Sequence, residues 1–238
     1  MPRLDVMVTR SGLAESRERA QALILAGKVK VAGETERRPD RSVSDDASIS
    51  VEAGPEFASR GALKLGPALD HFHVDPQGRV CADIGASTGG FTDVLLRRGA
   101  ARVYAIDVGR GLLHWRLRQD PRVVVIERVN ARDLDAFAEP VSLIVVDVSF
   151  ISLEKVLPAL RRTAADAEVL VLFKPQFEVG RGDVGKGGIV RDVVVVEAAL
   201  QRFREWCSGN GYEVTGEVAS EVTGAQGNQE FFLRLMPK

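Results

Sequence analysis

From residue 79 onward the sequence repeats one pattern. Short, almost wholly apolar runs, RVCADI (79–84), RVYAID (102–107), VVVIE (123–127), LIVVDV (143–148) and EVLVLF (168–173), alternate with segments of helical spacing, notably 90–98, 152–162 and 192–207. A strand apolar on both faces must be covered on both faces, which parallel strands joined by crossover helices achieve. The pattern therefore predicts an α/β domain with a doubly wound, mostly parallel, Rossmann-like sheet. Two later runs, YEVTGEVAS (212–220) and NQEFFLRLM (228–236), predict strands that pair antiparallel at one edge.

The N-terminal stretch has a different rhythm. Residues 3–11 and 16–26 place Leu4, Met7 and Val8, then Ala20, Leu23 and Ile24, at helical spacing. Ser16 stands where the second helix needs a cap, with Arg19 where a capping box would carry Glu. KVKVAG (28–33) alternates as a strand ending in a turn, SISVEA (48–53) reads as a second short strand, and Gly54-Pro55 marks a boundary. The organisation expected is a small α+β domain (1–54), a linker (55–58) and a large domain (59–238). A helix from Ser59 through Leu63, Leu65 and Leu69 opens the large domain, bent or interrupted at Pro67.

Composition excludes several classes. With 45% hydrophobic and 27% charged residues, the 238-residue chain is an ordinary globular one rather than a disordered one. Cys81 and Cys207 stand far apart, which excludes a disulfide framework or a cysteine zinc site and suits a reducing compartment. His71, His73 and His114 form no ligand spacing, so no metal is expected. No apolar run reaches the roughly 18 residues of a membrane span, and MPRLDVMVTR lacks the apolar core of a signal peptide. A cytoplasmic protein with no membrane partner and no obligate protein partner is expected.

The net charge of −1 conceals asymmetry. Residues 1–41 carry nine Lys/Arg against six acids, and residues 97–132 carry nine Arg against three acids. Such stretches can bind a polyanion, although for a surplus taken alone a solvated helix surface is the plainer explanation. The candidate contacts are Arg3, Arg17, Arg19, Lys28 and Lys30, then Arg60, Arg116 and Arg118. Trp115, in HWRLR, can stack on a base or pack in the core.

ADIGASTGGFTD (82–93) runs strand, glycine-rich turn, helix. Glycines at 85, 89 and 90 let a ligand approach the backbone. The spacing is not GxGxxG, and the absence of GK[ST] excludes a phosphate-cradling P-loop. Asp83 can accept from an ammonium, and Asp107, ending the second run, can bind a ribose diol. A ligand with an amino acid, a ribose and no phosphate at this position is S-adenosyl-L-methionine. A tight turn without a ligand is the plainer alternative, and Asp107 tells against it.

Further polar residues interrupt the apolar pattern. Asp147 ends the fourth run, Lys174 follows the fifth and Glu230 falls in the last. The crevice of an open α/β sheet lies at the carboxyl ends of its strands, so Asp147 and Lys174 share it. A lysine after VLVLF is costly to bury without a partner or a task. Lys64, in SRGALKL, can reach the same crevice. Two lysines and two acids suit methylation of a hydroxyl. Lys174 is expected to take the proton as the oxygen attacks, with Asp147 from the neighbouring strand holding it in place, while Lys64 and Glu230 form a second pair across the crevice and the second lysine stabilises the developing oxyanion. Singly, each residue is as readily a surface salt bridge; the combination is what points to chemistry. Gly185, Gly187 and Gly188 beside Lys186 predict a mobile loop after Lys174, and Cys81 reads as an inert buried thiol.

The order Lys64, Asp147, Lys174, Glu230 around a D-x-G-x-x-x-G-G-F loop, with SRGALKL at 59–65, resembles the FtsJ-type 2′-O-ribose methyltransferases. VYAIDVGRGLLHWRLRQDPRV (103–123), VVDVSFISLEKVLP (145–158) and LFKPQFEVGRGDVGKGGIVRD (172–192) are similar to the TlyA family, known both as hemolysin A and as ribosomal RNA 2′-O-methyltransferases. Residues 3–33 resemble the RNA-binding module first known from a small-subunit ribosomal protein. The resemblance implies the tetrad Lys64, Asp147, Lys174 and Glu230 as catalytic. It implies cofactor contacts from Asp83, Gly85, Ala86, Ser87, Thr88, Gly89, Gly90, Phe91, Asp107 and Asp147, and from Asn130, where the FtsJ pattern has Asp beside adenine. It also implies an RNA-binding role for the small domain, with ribosomal RNA or ribosomal subunits as the partner and cytidine ribose as the target. Two rival functions stand beside it: a membrane-lytic protein, as the older family name implies, and an inactive ribosome-binding protein.

Overall fold

The computed structural model describes residues 1–52 and 57–238, which divide into two compact units, Met1–Glu56 and Phe57–Lys238. The expected Gly54-Pro55 boundary, and the first half of the expected linker at 55–58, lie outside the described residues.

In the small unit, helices α1 (Leu4–Arg10) and α2 (Arg17–Leu25) bury Leu4, Val8, Ala20 and Ile24 against Val29, Val31 and Val43. The Ser16 hydroxyl accepts the Arg19 N–H at 3.1 Å and caps α2. Strands β1 (Val29–Val31), β2 (Glu34–Glu36) and β3 (Ile49–Val51) form an antiparallel sheet in the order β2-β1-β3. Sequence reading missed β2, because Glu-Thr-Glu carries no apolar alternation. Its hairpin is made by Ala32 and Gly33, both at positive φ (51° and 85°), the twist that suits a two-residue turn.

The large unit contains α3 (Ala62–His71), β4 (Val80–Ile84), α4 (Gly90–Arg97), β5 (Arg102–Asp107), α5 (Trp115–Arg118), β6 (Val123–Glu127), β7 (Leu143–Val146), α6 (Leu157–Thr163), β8 (Glu168–Phe173), α7 (Pro175–Glu178), α8 (Val193–Gly209), β9 (Tyr212–Ala219) and β10 (Phe231–Pro237). Pro67 sits inside α3 without ending it, since Leu65, Ala68 and Leu69 bury the helix on the sheet. The helix expected over 152–162 is instead a 3₁₀ turn (Leu153–Lys155) followed by α6. Pro158 stands in the first turn of α6, where its missing N–H would have no intrahelical partner, and so marks the start of a new helix.

The seven strands lie in the order β6-β5-β4-β7-β8-β10-β9. The first five are parallel, and β10 inserts antiparallel between β8 and β9. Alternate residues serve opposite cores: Ile144 and Val146 pack with Leu157, Leu160 and Phe203, while Leu143 and Val145 pack with Leu65, Leu69 and Leu95. Chain order reverses at β4, with β5 on one side and β7 on the other, and the crevice opens at the carboxyl ends of these strands. β7 and β10 are shorter than expected at that edge, while β8 ends where expected. Asp147 follows β7, Lys174 follows β8, and Glu230 precedes β10 rather than lying within it.

Candidate active site

The loop after β4 is shaped by its neighbours. Gly85 (φ 84°) donates its N–H to the Ile106 carbonyl at 2.9 Å. A Cβ at Gly85 would stand 2.4 Å from the Asp147 carbonyl oxygen, so only glycine lets the loops after β4 and β7 close together. Gly90 lets Ser59 and Ala62 approach, since a Cβ there would lie 2.2 Å from Ser59 Oγ and 2.9 Å from Ala62 N. Gly89 departs from the expectation that it leaves room for a ligand: its Cβ would strike Leu117 at 2.2 Å and Leu113 at 2.7 Å, inside the core. Its φ of 93° starts α4, and this geometry is what glycine supplies there.

Asp83 is wholly buried. Its Oδ2 accepts the Thr92 N–H (2.8 Å) and the Thr92 hydroxyl (2.6 Å), while Oδ1 has no partner among the described residues. Burial, with the charges of Asp147 and Asp107 adding, pushes its pKa up to about 7 against the hydrogen bonds from Thr92. An orphaned buried oxygen in a concave site marks a place prepared for a cation or donor.

Two adjoining cavities share Gly85, Ser87 and Asp147. The smaller, about 410 Å³, is also lined by Arg60, Lys64, Asp83, Ala86, Thr88, Gly90, Phe91 and Thr223. The larger, about 630 Å³, is lined by Asp107 and Asn130 with Val108, Leu112, Val129 and Ile151. Asp107 accepts the Ser87 N–H at Oδ2 (2.8 Å) and the Gly109 N–H at Oδ1 (2.7 Å), which aims its carboxylate along the cavity wall. Asn130 Oδ1 accepts from Arg132 N (3.1 Å) and Nε (3.3 Å), capping a 3₁₀ turn.

The tetrad is gathered as two pairs. Lys64 Nζ lies 2.6 Å from Glu230 Oε2, and Lys174 Nζ lies 2.5 Å from Asp147 Oδ1. The second contact is a close ion pair whose angles do not make an aligned hydrogen bond. Lys174 instead donates to Ser149 Oγ at 3.0 Å. Lys64 and Asp147 line the cavities; Glu230 and Lys174, 2% and 7% exposed, stand behind them. Sequence reading missed Ser149, although its place two residues after Asp147 at a strand end was a usable signal.

The basic residues divide. Arg3 and Arg17 both donate to the buried Asp5, as does Gln21 at 2.7 Å. Burial opposes ionisation of Asp5, but these partners hold its carboxyl well below the usual carboxylate range. Arg19, Lys28, Lys30 and Arg60 are exposed. Of the nine arginines in 97–132, five form ion pairs: Arg97–Asp93, Arg98–Asp70, Arg102–Glu139, Arg118–Glu127 and Arg122–Asp120. Arg116 and Arg118 are both exposed, and Arg118 is also paired with Glu127. Trp115 stacks on His114, with ring centroids 6.2 Å apart. The glycine-rich stretch after Lys174 is tied down at its far end. Asn228 Oδ1 accepts the Val190 N–H (2.9 Å) and Asn228 Nδ2 donates to the Gly188 carbonyl (2.8 Å). Cys81 and Cys207 are buried free thiols that burial pushes up to about 12. Among the described residues no group of His, Cys, Asp and Glu could hold a metal ion, and no helix is long and apolar enough to cross a membrane.

A seven-stranded sheet with one reversed strand and a double cavity at its switch point, flanked by paired lysines and carboxylates, defines a Rossmann-like group-transfer enzyme carried with a small α+β domain. Residues 57–236 match the FtsJ-like methyltransferase family and residues 2–49 the S4 domain. The chain belongs to the FtsJ-like methyltransferase family. It is 49% identical over 238 residues to the 16S/23S rRNA (cytidine-2′-O)-methyltransferase TlyA of Mycobacterium tuberculosis, covering 98% of this chain and 89% of that protein. It is 42% identical to Hemolysin A of Brachyspira hyodysenteriae, covering 96% of this chain and 97% of that one. A solved hemolysin-named structure from Streptococcus thermophilus superposes with a TM-score of 0.75 at 40% identity, covering 100% of this chain and 88% of the other.

Proposed function

We propose that this protein transfers a methyl group from S-adenosylmethionine to the 2′-hydroxyl of a cytidine in ribosomal RNA, acting in the cytoplasm on ribosomal subunits. The observation that carries the reading is the pair of lysine–carboxylate contacts at the cavity that also holds the orphaned Asp83 oxygen. The cavities fit the cofactor by chemistry. Asp83 would receive its ammonium, the loop of Gly85, Ala86, Ser87, Thr88, Gly90 and Phe91 would follow its chain, and Asp107 would accept from its ribose hydroxyls. Asn130, among Val108, Leu112, Val129 and Ile151, would border its adenine. Gly89 would serve by shaping the turn. When bound, the cofactor supplies an electrophilic methyl group.

The remaining work falls to the chain. Lys174 takes the proton of the attacking hydroxyl. Lys64, on the cavity wall, stabilises charge on that oxygen. Asp147 and Glu230 hold the two ammonium groups in place. Residues 1–54 dock RNA through Arg3, Arg17, Arg19, Lys28 and Lys30, and residues 59–238 offer Arg60, Arg116 and Arg118 as contacts of their own. Ribose methylation mapped across ribosomes from cells lacking the protein, and restored by the wild type but not by Lys174→Ala, is the direct test. Methylation that is complete without the protein would sink the reading. Leakage of liposomes caused equally by wild type and Lys174→Ala would favour the membrane-active alternative.

A further inference from the structure

Lys174 presents a problem of access. It is 7% exposed, begins the turn into α7, and its nitrogen touches Asp147 and Ser149. To take a proton the nitrogen must be a neutral amine, whose single lone pair has to face the attacking hydroxyl, so the Asp147 and Ser149 contacts matter because they fix how Nζ is turned. A proton that Lys174 accepts must leave again before the next turnover. Of the two anchors, Asp147 is a carboxylate needed as a counter-charge. Ser149 is an exposed hydroxyl on the larger cavity, able to accept and donate at once.

The segment carrying Ser149 is fastened to the segment carrying Lys174. The Phe150 and Phe177 rings meet at 5.0 Å, joining the loop after β7 to α7. Glu178, at the end of α7, accepts the Leu153 N–H at 2.9 Å. Phe150 adopts φ 64°, a left-handed conformation that a bulky side chain rarely takes, on a residue that is otherwise 91% exposed. The segment just after Ser149 is thus linked twice to the segment just after Lys174, by an exposed ring contact and by one hydrogen bond.

We propose that Ser149 is a positioning residue for Lys174 and the exit for its proton. The inference rests on the methyl-transfer reading above. As the 2′-oxygen forms its bond to the methyl carbon, the carbon–sulfur bond breaks with its electrons on sulfur, and the hydroxyl proton passes to Lys174 Nζ. Nζ then gives a proton to Ser149 Oγ while the Ser149 O–H proton moves to water, which restores both groups.

The test uses the full chain with ribosomal subunits and S-adenosylmethionine, under multiple turnover. Ser149→Ala lowers kcat about tenfold, the value of one hydrogen bond to a charged group, with little change in the KM for cofactor. Ser149→Thr, which keeps the hydroxyl, restores most of the rate. Imidazole added as a proton carrier restores Ser149→Ala but leaves the wild type unchanged, a response that a merely structural residue does not show. An unchanged kcat, a loss confined to the cofactor KM, a Thr variant as slow as Ala, or a loss that imidazole does not relieve overturns the proposal. A wild type that transfers no methyl group overturns the methyl-transfer reading, and this proposal with it.

Discussion

Asp83 and Lys174 are both buried ionisable groups, but their surroundings ask opposite things of them. Asp83 has a hydroxyl and an amide on one oxygen and nothing on the other, so burial wins and its carboxyl holds a proton to about 7. In the unfolded chain it ionises near 3.8. Between these values the native state binds more protons than the unfolded one, so raising the pH across that window lowers stability. Glu178, pushed up to about 7 by burial, acts in the same direction. Thermal melts of the cofactor-free protein should therefore fall from about pH 4 to about pH 7, less steeply in Asp83→Asn. Cofactor affinity should rise with pH through about 7 as Asp83 becomes the partner an ammonium needs, and calorimetry across that range checks it. A flat affinity profile would remove Asp83 from the cofactor site. Lys174 has a carboxylate at 2.5 Å. Lys174→Ala should keep cofactor and RNA affinity while losing about 100–10,000-fold in single-turnover rate, the usual contribution of a positioned base. Lys174→Arg should not restore it, because guanidinium stays protonated. An arginine variant near the wild-type rate would reduce Lys174 to a positioned charge.

At the scale of elements, the loops after β4 and β7 form one unit because Gly85 has no Cβ. Gly85→Ala sets a methyl group against the Asp147 carbonyl and forces alanine to φ 84°, with no flexible side chain to yield. The expected cost is about 1–3 kcal/mol, read as a lowered midpoint in urea. Because the shifted group is the Asp147 backbone, the rate should fall more than stability at temperatures where the variant stays folded. Full activity in a folded Gly85→Ala protein would show that the two loops need no such closeness. Most of these elements were legible from apolar runs and periodicity. Others were not. β2 pairs through its backbone alone, the 3₁₀ turn before α6 lies within a segment of helical spacing, and Ser149 reaches Lys174 only because β7 and β8 are neighbours.

For the whole molecule, the question is how charge is shared between holding the fold and meeting RNA. Arg17 and Arg19 lie two residues apart on α2, yet only Arg17 reaches the buried Asp5. Arg19→Glu should weaken binding to ribosomal subunits and flatten its salt dependence by about 0.7–0.9 in slope per lost phosphate contact, with cofactor affinity intact. Arg17→Glu should do this and also lower the melting temperature, since it withdraws a counter-charge from a carboxylate that is 0% exposed. Equal melting temperatures for the two variants would show that Arg3 and Gln21 suffice for Asp5. Unchanged salt slopes in both would remove this helix from the RNA contact.

The sequence by itself determined the layered architecture, because near-continuous apolar strands separated by helical spacing leave a covered parallel sheet as the packing that hides them from water. It also carried the chemistry-bearing residue types, whose order along the chain resembles the FtsJ-type enzymes. The pairing of Lys174 with Asp147 and of Lys64 with Glu230 was also an expectation from strand order, and the structure brings both together at 2.5 and 2.6 Å; only the fold decides these distances, because each pair joins segments far apart in sequence. The fold likewise decided that Arg3, Arg17 and five arginines of 97–132 spend their charge on the protein's own acids. A charge count records how many cations a segment carries. Whether each one already has a counter-charge depends on which acid the fold brings within about 4 Å of it, even where the guanidinium stays in contact with solvent.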